Sequence, residues 1–191
     1  VFDAPNQIFF GVHSYDVRAV YQLDQLLISG APDQYYQKRR DNTVIMGMTP
    51  MHVSKNAFWS STKTGDLDVG WDLYWTRISP SSFYVEVGSP KGEELLLAAG
   101  KLETANPSER EEAKRQKRRI RAKCDKQGLV YPWDQTSKML GRHWNNPIWT
   151  HKSRMCLSCG SCVFVCPTCY CFNIREEIDV MEEKAAEMNR F

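Results

Sequence analysis

Residues 156–167 read Cys-Leu-Ser-Cys-Gly-Ser-Cys-Val-Phe-Val-Cys-Pro, four thiols in one short run closed by a proline. Cys156, Cys159 and Cys162 stand with two residues between neighbours, and Cys166 follows after three more. Thiolates at that spacing can wrap a cubane cluster corner by corner, while Gly160 and Ser161 are small enough to bring backbone N–H groups near inorganic sulfide. Pro167 then turns the chain away. Tetrahedral zinc is the competing reading, but structural zinc sites usually draw two ligand pairs from separated segments, and here all four donors lie in one run. The spacing therefore assigns Cys156, Cys159, Cys162 and Cys166 as cofactor ligands, the last of them to this cluster or, as in two-cluster proteins, to the other one. For Cys169 and Cys171, which come next, additional ligand, redox thiol and packing residue are equally open.

Six of the seven cysteines of this 191-residue chain fall between Cys156 and Cys171, and only Cys124 lies outside. Crowding and an odd count suit metal ligation in a reducing compartment better than a disulfide framework. Cys124 alone reads as a packing residue. A cytoplasmic setting is expected, because Val1 is not followed by a basic start and an apolar core of a signal peptide. The longest apolar stretches, such as Ile8 to Val12 and Leu95 to Ala99, are too short to span a bilayer. A net charge of +2 gives no pull toward nucleic acid.

Upstream of the run, Gln7 to Val12 reads as a buried strand entering a glycine turn, followed by helical spacing of Val17, Val20, Tyr21, Leu27 and Ile28. Gly30, Pro32 and Asp33 end that unit, and Val44 to Gly47 reads as a second buried strand. Leu73 to Ile78 and Phe83 to Val87, separated by Ser79, Pro80, Ser81 and Ser82, predict a hairpin. Asn106, Pro107 and Glu109 form a helix start with a capping box, and the charged helix after it, to about Cys124, reads as a solvated connector. Its cations Lys114 to Arg121 are partly offset by Glu111. Residues 125 to 150 are rich in Trp, Pro and Asn without periodicity and read as an ordered connection.

Other catalytic patterns are weak. The four histidines are scattered, and no metalloprotease pair, phosphate-cradling loop, dinucleotide fingerprint or nucleophile elbow is visible. His13 beside Asp16, after a strand, is read as a structural hydrogen bond sooner than a site corner. The chemistry of substrate or hydride is then expected on other polypeptides.

The cysteine run has the spacing of bacterial-type ferredoxins. Together with Asn146-Pro-Ile-Trp149 and Cys166-Pro-Thr-Cys169-Tyr-Cys171, it resembles the beta subunit of cytoplasmic nickel–iron hydrogenases (sulfhydrogenases) and is similar to the iron–sulfur A subunit of anaerobic sulfite reductase. The likeness extends through Phe10-Gly-Val-His-Ser-Tyr-Asp16, Asp33-Gln-Tyr-Tyr36, Val44-Ile-Met-Gly47, Gly70-Trp-Asp72 and Val85 to Gly92. It implies an α+β chain: a mixed α/β domain over 1–100, a helical connector over 101–145, and a mostly helical ferredoxin-type 4Fe–4S module over 146–191. The implied cofactor is one [4Fe–4S] cluster, with a second if the sequence is a fragment, since the family continues beyond the equivalent of Phe191 into another cysteine run. The fourth ligand then comes from Cys166, Cys169, Cys171 or a partner chain.

The resemblance further implies a non-catalytic subunit passing electrons between a flavin subunit and a hydrogenase-type or sulfite reductase catalytic subunit. A structural subunit whose redox role has decayed is the remaining alternative. Lys152 and Arg154, just before the first ligand, would raise the cluster's potential. In the family the first domain carries its own cubane, but the matching positions here are Tyr15, Pro50, Ala57 and Trp59, none of which replaces a thiolate. That N-terminal site is therefore expected to be lost, with aromatic side chains refilling its space.

Overall fold

The computed structural model describes residues 3–65, 69–100 and 102–169, and residues 172–179 and 184–190 as backbone alone. The chain divides into two compact units, Val1–Met139 and Leu140–Phe191.

The first unit is built on a four-stranded sheet in the order β1-β2-β3-β4, formed by β1 (Gln7–His13), β2 (Thr43–Met48), β3 (Leu73–Arg77) and β4 (Phe83–Val87). The first three strands run parallel and β4 is antiparallel to β3. The expected strands and hairpin are thus in place, but β1, read as buried, is an edge strand that leaves Ile8, Phe9 and Phe10 exposed. Gly11, in the left-handed region at φ 78°, absorbs the register shift between Phe10 and Val12. Helix α1 (Ser14–Leu27) returns from β1 toward β2 through α2 (Gln34–Asp41), a helix where the sequence suggests only a polar segment. Asp33 caps α2 by accepting from the N–H groups of Tyr35 and Tyr36.

Asp72 ties the sheet to the helix after β4. Its carboxylate accepts from Ile45 N–H at 2.8 Å and from the Ser89 hydroxyl, and Ser89 caps α3 (Pro90–Ala98). The helix α4 (Pro107–Asp125) starts on the capping box that its sequence specifies: Glu109 N–H donates to Asn106 Oδ1 at 3.0 Å and Asn106 N–H to Glu109 Oε2 at 2.9 Å.

The connector reading of α4 is corrected by its packing. Ala113, Ile120 and Cys124, at a spacing of seven and four, are buried, and Lys117 both pairs with Glu86 of β4 at 2.6 Å and lies over the Tyr74 ring. The flood of charge masks a narrow apolar stripe, and burying an isoleucine such as Ile120 is worth about 1.5–3 kcal/mol. Helix α1 packs on β1 and β2 and α4 on β3 and β4, and Val17, Ile45, Tyr74 and Thr76 are buried. The opposite face of the sheet shows Phe10 and Phe83, edge-on to Trp75 at 6.0 Å each.

Helix α5 (Trp133–Arg142) forms in the stretch read as aperiodic. The second unit holds α6 (Pro147–Ser153), α7 (Ser161–Val165) and an antiparallel pair, β5 (Phe172–Asp179) and β6 (Lys184–Arg190). The mostly helical module thus also contains a hairpin.

Candidate metal centre

Helix α6 delivers the chain to the cysteine run. Asn146 caps it by accepting from Ile148 N–H, Pro147 occupies its first turn, and the Trp149 indole N–H donates to the His143 carbonyl at 2.7 Å. The helix ends at Arg154, after which Cys156 N–H still bonds the Ser153 carbonyl at 3.0 Å. The first thiol is therefore held one turn beyond a helix end.

From Cys156 to Gly160 the chain is irregular, with Ser158 at φ 53° and Gly160 at φ 72°. Left-handed residues on both sides of Cys159 are the means by which a backbone turns successive N–H groups toward one side, as in anion-binding nests and iron–sulfur cradles. Ser158 N–H already donates to Cys156 Sγ at 3.4 Å. For Ser158 this conformation is uncommon outside glycine and asparagine. Gly160 then caps α7, which carries Cys162 and ends at Cys166, whose backbone is extended.

Two hydroxyls stand beside the sulfurs. Cys159 Sγ lies 3.2 Å from Ser161 Oγ, and Cys166 Sγ lies 3.3 Å from Thr168 Oγ1. Hydrogen bonding from Ser161 brings the Cys159 thiol below its ordinary value, and Thr168 does the same for Cys166. The signal was present in the sequence as a hydroxyl residue two places after each of these cysteines.

Cys156, Cys159, Cys162 and Cys166 are all exposed and Cys169 is half-buried. Cys171 lies outside the described residues. Among the described residues, no three His, Cys, Asp or Glu side chains converge on one point suited to a metal ion. The donor set nonetheless fits an iron–sulfur cluster: soft sulfur ligands on an accessible loop, lowered thiols and backbone N–H groups turned toward sulfur.

In the first unit, three of the four positions expected to mark a lost site come together around Cys124. Tyr15 stacks on Trp59 with ring centroids 6.3 Å apart, and the wholly buried Cys124 thiol contacts the Ala57 carbonyl at 3.6 Å. Pro50 is buried and lines a cleft with Thr49, Met51 and Ile120. Burial raises the Tyr15 phenol, with further contributions from Asp16 and Cys124. His13 bonds Tyr15 through Nδ1 at 2.7 Å, so its structural partner is the phenol instead of Asp16.

Residues 155–191 match the family described as a 4Fe–4S dicluster domain. Over an alignment of 176 positions that takes in 87% of its length, the chain is 30% identical to the sulfhydrogenase 2 subunit beta of Pyrococcus furiosus. The match takes in 49% of that protein, so the chain spans about half the length of this relative. No solved structure matches the chain significantly. Among the described residues, no helix is long and apolar enough to cross a membrane. The chain is thus similar to a sulfhydrogenase beta subunit over most of its own length, and its C-terminal residues carry a domain for [4Fe–4S] clusters.

Proposed function

We propose that this chain is an electron-transfer subunit of a cytoplasmic oxidoreductase, relaying single electrons between a flavin subunit and a hydrogenase-type catalytic subunit. Cys156, Cys159 and Cys162 ligate one [4Fe–4S] cluster, and Cys166 supplies a further thiolate to it or to a neighbouring cluster. The observation that carries this reading is the run of four exposed thiols within a segment matching 4Fe–4S dicluster domains.

The cluster, when bound, supplies a one-electron acceptor and donor. Around it the protein's own groups set the energetics. Ser158 N–H donates to Cys156 sulfur, the hydroxyls of Ser161 and Thr168 stabilise sulfur charge on Cys159 and Cys166, and Lys152 and Arg154 place positive charge just before the first ligand. All of these favour the more negative, reduced state and raise the potential. The likeness to a sulfhydrogenase beta subunit favours a hydrogenase-type partner over a sulfite reductase.

The test is anaerobic reconstitution of the chain, with iron and sulfide analysis and electron paramagnetic resonance of the reduced protein. A reducible cubane signal with matching iron and sulfide is the expected result. Stoichiometric zinc, without iron or sulfide, would instead make the run a structural staple.

A further inference from the structure

We infer that the face around the cysteine run is built to receive an acidic one-electron carrier protein. This rests on the cluster-binding reading above and names the partner of that same site.

Residues 140–169 contain Arg142, Lys152 and Arg154, together with His143 and His151, and no aspartate or glutamate at all. All five side chains are exposed, and among the described residues the three cations form no ion pair. The contrast with α4 is direct, since there Lys114, Arg115 and Lys117 are each matched by a carboxylate. Lys152 and Arg154 stand within four residues of Cys156, on the end of the helix that delivers it.

Interleaved with the thiols are apolar side chains that nothing described covers. Leu157, between Cys156 and Cys159, is 91% exposed, while Phe164 and Val165, between Cys162 and Cys166, are 62% and 77% exposed. An apolar centre at the point of electron exit, with unpaired cations beside it, has the composition of a docking patch: water is expelled at the centre and charge selects the partner at the rim. The complementary surface is apolar at its middle and rich in carboxylates around it. Such complementarity acts chiefly on the rate of encounter and on the rejection of like-charged partners. One electron passes between the carrier and the cluster, with no bond made or broken, and the carrier's oxidised or reduced form balances it.

The carboxylates of the second unit all lie in residues 170–191, among them Glu176, Glu177, Asp179 and Glu187. Arg175, Lys184 and Arg190 in the same stretch offset part of that charge, and Lys152 and Arg154 stand nearest the first thiol along the chain.

Stopped-flow electron exchange of the reconstituted chain with two probes decides this, one a small acidic iron–sulfur carrier and the other a small basic haem carrier. Iron, sulfide and resonance signal are checked beforehand, so that a failure of cluster loading is told apart from a failure of docking. The readout is the sign of the salt dependence for each carrier, which driving force does not change. The acidic carrier is expected to lose about tenfold or more in rate as salt rises from roughly 10 to 500 mM, since the screening length falls from about 30 Å to a few ångströms. In a K152E/R154E variant that retains its cluster, the loss should vanish or reverse. A rate with the acidic carrier that is flat or rises with salt, salt-weakened reaction with the basic carrier, or a variant with the wild-type slope would each overturn the proposal.

Discussion

Cys124 and the thiols of residues 156–166 are the same chemical group in opposite settings. The first is wholly buried on α4 against the Ala57 carbonyl, between a helix and a loop whose aromatic rings stack; the others stand exposed on a loop with left-handed turns and hydroxyl neighbours. Burial leaves Cys124 no room for a metal, whereas the exposed thiols can be reached by one, and hydrogen bonding to sulfur favours the thiolate at Cys159 and Cys166. One unit of the molecule has used its cysteine as a small hydrophobe, and the other keeps its cysteines ready for ligation.

The largest effect should come from removing a ligand. Cys156→Ser, Cys159→Ser and Cys162→Ser should each abolish the visible charge-transfer absorption and most bound iron, while Cys124→Ala should keep both and lose about 1 kcal/mol of stability. Iron and sulfide analysis beside circular dichroism measures this. A folded Cys124→Ala protein without iron would erase the distinction between the two settings.

Next in size is the helix that carries Cys124. Ile120→Ala should cost about 3 kcal/mol in the unfolding of the first unit, because a buried side chain leaves a cavity, whereas the adjacent exposed Arg119→Ala should stay within about 0.5 kcal/mol. Equal small effects in urea unfolding would return α4 to a solvated connector. Gly92→Ala should cost about 2 kcal/mol, since its Cβ would lie 2.1 Å from the Asp72 carbonyl oxygen. By contrast Gly141→Ala, in α5 with nothing within 4 Å, should gain about 0.5 kcal/mol.

These contrasts also show how far the sequence could be read. Strands β1 to β4 were legible because Ile8, Val44, Leu73 and Val85 lie in short apolar, β-branched runs bounded by Gly, Pro and Ser, and the start of α4 was legible because a capping box is local chemistry. The partnership of α4 with the sheet was not, since three buried residues in nineteen are drowned by cations that the structure disposes along its outer side. Helix α2 was hidden by a polar sequence with no buried residue, whose strongest start signal is Asp33. Thiol spacing marked the candidate ligands, but left-handed Ser158 could not be foreseen, because only glycine announces that conformation by its identity. The gathering of Tyr15, Ala57 and Trp59 around Cys124 came from aligning positions, a signal that periodicity does not contain.

The smallest expected effect is a pH dependence that again sets the two units apart. Burial raises the Asp16 carboxyl above its ordinary value, and the nearby His13 charge opposes this in part. In the second unit the shifts run the other way, as hydroxyl bonds lower Cys159 and Cys166. A raised carboxyl means that the folded chain holds its proton at a pH where the unfolded chain has released it. Its stabilising contribution is complete below the unfolded value and is lost as pH rises through the folded one, so the first unit should weaken slightly from about pH 4 upward on account of this group. Asp16→Asn keeps the shape and removes the titration. Because Asp16 is partly solvated and sits in the first turn of α1, where a negative charge is favoured, the change should be under about 1 kcal/mol. Urea unfolding of both proteins at intervals between about pH 4 and pH 7 reads it directly as a flatter curve for the variant. A variant that keeps the wild-type slope would mean that burial does not hold the Asp16 proton, and the first unit would then owe nothing of its pH response to the start of α1.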